Sequence, residues 1–124
     1  MIHRATIIVV AVALSCLVGV APAAAAIKSA LIDGNKLDEA CGDGTAFDAG
    51  LCYGYVFGIV DSAESSQFAK GPRMWCWPDD LSLDQAKDQS VEAVKLYLHD
   101  HPENRQFTGD SLVAAALKEK FPCN

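Results

Sequence analysis

"AGLCYGYVFGIVDSA", Ala49 to Ala63, sets glycine at 50, 54 and 58 and serine at 62. As a strand it fails. It has no period-two alternation, and three glycines inside one strand would strip it of side chains to pack. As a membrane span it is too short, because the apolar run from Leu51 to Val60 stops at Asp61. As a helix it works: Leu51, Tyr55, Val56, Ile59 and Ala63 follow the spacing of one inward stripe. Gly50, Gly54, Gly58 and Ser62 then lie four apart along one face. Each glycine costs about 1 kcal/mol against alanine in a helix. Close approach of another helix backbone is the expected offset, so Gly50, Gly54 and Gly58 are read as helix-packing positions.

Working outward, "NKLDEAC" (Asn35 to Cys41) reads as the end of a short amphipathic helix with Leu31, Ile32 and Leu37 inward. "GDGT" then stops it. After the glycine helix, "SSQFAKGPRMWCWPDD" (Ser65 to Asp80) reads as a long irregular connection, because Gly71-Pro72 and Pro78 break helices. It carries Phe68, Met74, Trp75 and Trp77 with Lys70 and Arg73. Ser82 and Gln85 then form a capping-box pattern. They open a helix with Val91, Val94, Tyr97 and Leu98 inward and Asp88, Glu92, Lys95 and His99 toward water. Pro102 ends that helix and suits the first position of the next. The last helix, about Asp110 to Lys120, should bury Leu112, Val113, Ala116 and Leu117, with Phe121 closing the stripe. The expected fold is all-α, a small single-domain bundle of about four helices.

The N-terminus reads differently. "MIHRATIIVVAVALSCLVGVAPAAAA" has a basic start at His3 and Arg4, an apolar run from about Ile7 to Val20, and alanines at 24 and 26. Residues 1–26 are the expected signal peptide, cleaved to leave residues 27–124 as one helical domain with no span after processing. The chain is acidic, at −6 overall, and losing Arg4 makes the remainder more so. Without a basic stripe, nucleic acid is excluded as a partner.

Export implies an oxidising compartment, and Cys41, Cys52, Cys76 and Cys123 then read as two disulfides. No C-x-x-C or H-x3-H pair suggests zinc. His99 and His101 sit where a cation suits a helix C-terminus, and i, i+2 residues point apart. If the last two long helices run antiparallel, their outer ends meet and Cys76 pairs with Cys123. That closes a loop of 47 residues and contributes roughly 4 kcal/mol in chain-entropy terms. Cys41 is left for Cys52, which requires Gly42 to about Ala46 to double back.

In order, "CYGYVFGIVD", "CWP", "QSVEAVKLYLHDHPE" and "SLVAAALKEKFPC" resemble the periplasmic immunity proteins of the Rap/Tai type. These protect bacteria against amidase toxins delivered by type VI secretion. The resemblance spans about Leu37 to Cys123. It implies a small helical disulfide protein of the periplasm, commonly dimeric, that blocks the active-site cleft of a peptidoglycan amidase. Cys52, Gly54, Asp61, Cys76, Pro78, Tyr97, Leu98, Pro102 and Cys123 read as framework.

No nucleophile–base pair, metal set or phosphate loop argues for an enzyme, and no cofactor is expected. An acid-stress chaperone, or another envelope protein-binding module, is the alternative. Occlusion needs an exposed knob, and aromatic and arginine side chains dominate interface energetics. Gly71-Pro72 should project its part of the connection outward. Phe68, Arg73, Met74 and Trp75 are therefore the candidate partner contacts, while Trp77 could as readily cover the Cys76 disulfide.

Overall fold

The computed structural model describes residues 31–68 and 72–124. Among the described residues four α-helices follow one another: α1 Gly34–Cys41, α2 Ala46–Phe68, α3 Leu83–Asp100 and α4 Gly109–Lys120. A single 3-10 turn, Pro102–Asn104, lies between α3 and α4. The described residues form no strand, only an isolated antiparallel bridge between Asp33 and Thr108.

Local chemistry fixes the starts. Asp33 caps α1 by accepting from the Lys36 backbone N–H at 3.0 Å. Ser82 and Gln85 form the reciprocal capping box of α3. At the head of α2, the Thr45 backbone N–H and hydroxyl donate to the Asp48 carboxylate at 2.8 and 2.7 Å. The Thr45 hydroxyl accepts in turn from the Asp48 backbone N–H at 3.3 Å. These bonds hold the Asp48 carboxyl below its ordinary value of 3.8, since each favours the charged form. α2 also runs on through Ser65 to Phe68, which the sequence assigns to the connection.

The core is one cluster. Leu37 of α1, Cys52 and Val56 of α2, Val91, Val94 and Leu98 of α3, and Val113 and Leu117 of α4 are at most 1% exposed. Phe121 closes the α4 stripe at 5% exposure. The expected α1 stripe holds for Leu37 and in part for Ile32, but Leu31 is 93% exposed. Leu51, expected inward on α2, is 39% exposed.

Both expected disulfides are present, Cys41–Cys52 and Cys76–Cys123. The second forms for a different reason from the one expected. Glu119, in the last turn of α4, reaches His101 at the end of α3 at 3.8 Å. Ala93, Tyr97 and Asp100 likewise line a groove with Ala116, Glu119 and Lys120. The end of α4 thus lies beside the C-terminal half of α3, not beside its start as an antiparallel hairpin would require. The irregular segment before α3 brings Cys76 back to it, fixed by a Cys76 N–H bond to the Phe121 carbonyl at 2.9 Å.

The tightest backbone seam lies on the other side. Gly34 donates to the Phe107 carbonyl at 3.0 Å, Asn35 to the Arg105 carbonyl at 3.1 Å, and Gly109 to the Ile32 carbonyl at 2.9 Å. Arg105 clasps the junction, its Nε donating to the Leu98 carbonyl and its guanidinium meeting Asp38, both at 2.8 Å. A Cβ on Gly34 would fall 2.6 Å from the Arg105 Cα. One on Gly109 would fall 2.8 Å from the Tyr55 hydroxyl. At Gly34 no side chain fits against the Arg105 backbone, and at Gly109 one fits only if Tyr55 gives way.

Candidate functional site

α2 contains Asp48, Asp61 and Glu64 but no lysine or arginine, and its apolar residues surround the whole circumference. A helix of that kind is normally buried all round. Here Cys52, Val56 and Ala63 face the core, while Gly50, Gly54, Asp61 and Ser62 remain exposed. Phe47 is 77% exposed. A Cβ at Gly50, Gly54 or Gly58 would meet nothing within 4 Å. The close helix packing expected of these glycines therefore does not occur within the described chain. Their face is open.

Toward its C-terminal half this face deepens into a groove of about 640 Å³ between α2 and α4. Gly58, Ser62 and Ser66 form one wall, Ser111 and Ala114 the other, with Asp110 and Met74 also in its lining. Ile59 and Ala63 of α2 line it too, and apart from Ile59 the wall residues are small, so the groove can take an inserted side chain or a closely approaching backbone. Tyr55 stands near it. Burial and the charge of Asp110 push its phenol above the ordinary value, opposed by a backbone hydrogen bond at Asp110, so it stays neutral at physiological pH.

The four candidate contacts separate. Arg73 is exposed and Met74 is 45% exposed, and Met74 joins Gly58 in the groove. One member of each of two candidate sets, Gly58 and Met74, thus lies in the same groove though they are apart in sequence. Trp75 does not belong to it. At 1% exposure it is a core side chain, and the expectation that it contacts a partner is corrected. Its ring packs edge-on against Trp77 at 6.1 Å, and Trp77 in turn packs on Phe121 at 4.7 Å. Trp77 also donates from its indole nitrogen to Glu64 at 2.7 Å. The disulfide and the Cys76–Phe121 bond draw this stretch inward, against the projection expected from Gly71-Pro72. The side chain of Phe68, with Lys70 and Gly71, lies outside the described residues.

Sequence reading missed Gly34, Gly109 and Arg105, whose roles depend on partners far along the chain. It also missed the Thr45–Asp48 cap, which the T-x-x-D spacing could have signalled. Among the described residues, no group of three or more His, Cys, Asp or Glu side chains is arranged to hold a metal ion. No described helix is long and apolar enough to cross a membrane.

Compared with protein families, residues 33–123 match the Rap1a immunity proteins. The chain belongs to that family. No curated protein matches the chain significantly. As a Rap1a immunity protein it has a protein effector as its implied partner. The matched region takes in all four helices, both disulfides and the open face of α2.

Proposed function

We propose that this Rap1a family member is a periplasmic immunity protein. It enters through a cleaved signal peptide at residues 1–26, and its domain, residues 27–124, binds and occludes a peptidoglycan amidase delivered by type VI secretion. One observation carries the choice of surface: the groove in which Gly58 and Ser62 of α2 meet Met74 is open and lined largely by small side chains. Occlusion asks no chemistry of this protein. A complementary protrusion of the effector seats in the groove, Arg73 and Asp110 give it polar surroundings, and the body of the bundle covers the catalytic cleft.

The glycine ridge further along α2, at Gly50 and Gly54, is where a second copy would pack to form a homodimer. Equilibrium sedimentation of a Gly54→Leu variant assigns it. Loss of self-association with effector binding intact places the ridge between copies. Loss of effector binding by a protein that was already monomeric places it against the effector.

The function itself is tested by capturing partners from the periplasm of competing cells, then assaying peptidoglycan hydrolysis by the captured protein. One equivalent of this chain near pH 7 should abolish amidase activity. Undiminished hydrolysis, or suppression of aggregation of many unrelated proteins at low pH, would favour the chaperone alternative instead.

A further inference from the structure

The two disulfides sit in contrasting surroundings. Cys41 and Cys52 are 4% and 1% exposed, inside the core cluster. Cys123 is exposed and Cys76 half-buried. Thiol–disulfide exchange requires a thiolate to reach a sulfur directly. A soluble dithiol can reach Cys123 on the native fold, whereas the inner pair becomes reachable only when α1 and α2 separate.

The outer bond is also the covalent link nearest to the groove. Met74 and Arg73 lie two and three residues before Cys76, in a stretch without helix. What else holds that stretch is the Cys76–Phe121 hydrogen bond, the Trp77–Phe121 ring contact, the Trp77–Glu64 hydrogen bond and the burial of Trp75. None of these contacts is made through the sulfur bridge, so the helices are expected to persist when it opens. The closure that limits the motion of the stretch is lost.

We propose that Cys76–Cys123 is a redox-responsive tether of the groove. A dithiol reductant opens it on the folded protein by exchange: its thiolate attacks one sulfur, and its second thiol releases the mixed disulfide. The protein gains two thiols, the reductant becomes a disulfide, and two electrons pass between them. Cys41–Cys52 stays closed. The stretch bearing Arg73 and Met74 loosens, and this last consequence for binding rests on the groove being the effector surface.

The test treats the mature protein with dithiothreitol under native conditions, with pulses of alkylating reagent and peptide mass spectrometry. Cys76 and Cys123 should be labelled at least about tenfold faster than Cys41 and Cys52, because the inner pair waits for local unfolding. The helical circular dichroism should be unchanged when the outer pair is fully labelled. Equal labelling rates, or loss of helix as the outer pair opens, would overturn the proposal. In a Cys76→Ser/Cys123→Ser protein, amide exchange across residues 73–77 should accelerate by about tenfold while exchange in α3 is unchanged. Failure of that variant to fold, or unaltered exchange at 73–77, also overturns it. None of these readouts involves an effector, so their failure leaves the immunity reading standing. Undiminished effector binding by a Gly58→Leu variant would instead remove the groove and leave the labelling result intact.

Discussion

Gly34 and Gly109 lie in a seam where a side chain would strike the Arg105 backbone or the Tyr55 ring. Gly50, Gly54 and Gly58 line a ridge where any side chain would fit. Only the second set has a regular spacing, and only the first has a close neighbour among the described residues. A four-residue repeat of glycine marks a helix face that can be approached. It does not say that anything in the same chain approaches it. On the ridge the helix accepts the unfavourable propensity of three glycines with no packing in return. Among the described residues nothing meets the ridge.

The sharpest contrast between the two regions comes from adding a single methyl. Gly34→Ala drives a Cβ into the Arg105 backbone and should destabilise by about 3 kcal/mol, lowering the melting temperature by more than about 10 °C. A Gly34→Ala protein that melts like the parent would erase the distinction. On the open face, Gly58→Leu should leave the fold and its melting temperature nearly unchanged while weakening partner binding by about 30-fold, or roughly 2 kcal/mol. Isothermal titration against the cognate effector checks this, and a destabilised but fully binding variant would break the comparison from the other side.

Smaller effects sharpen it. Gly54→Ala should stabilise the isolated chain by nearly 1 kcal/mol, or about 5 °C, because helix propensity improves and the new methyl touches nothing. The same change at Gly109, facing Tyr55, should destabilise. Weakest is the cap that fixes where the ridge begins. Thr45→Ala should lower the melting temperature by roughly 3 °C at neutral pH. The Asp48 carboxylate titrates lower in the folded protein than unfolded, so its contribution is complete above the ordinary value of 3.8 and is lost as pH falls through the folded value. The parent should show that acid-side loss in a melting series, and Thr45→Ala should not.

Periodicity carried much of the architecture. The Ser82–Gln85 box and the Leu112, Val113, Ala116, Leu117 stripe give α3 and α4 almost to the residue. α2 was legible as a helix, but its apolar residues run all round, so its sequence could not say which face was bare. The disulfide pairing was legible too, though through a hairpin that does not exist: the fold meets at Cys76 because an irregular segment bends back, and such segments have no period to read. The same bend hides Trp75 and exposes Met74, a reversal that no local pattern in "RMWCWP" announces. Of the candidate site, spacing gave the glycines and composition gave Met74 and Arg73. Of these, Gly58 and Met74 converge, and that depends on how the irregular segment before α3 lies against α2.

Arg105 also bears on the order in which the fold can assemble. The Asn35 side chain donates to the Arg105 carbonyl across 70 residues of sequence, and Gly34 and Gly109 close the same seam. A chain made from its N-terminus therefore holds α1 without its final neighbours until nearly all of α3 and the following connection have appeared. Cys41 and Cys52 are 11 residues apart and can close early, fixing α1 to the head of α2. Cys76 must wait for Cys123, 47 residues further on. Contacts this distant make a small helical bundle fold more slowly than its helix content suggests. During that interval a lone Cys76 thiol and the Trp75 indole beside it stay uncovered, so mispairing and aggregation are most favoured before Cys123 arrives.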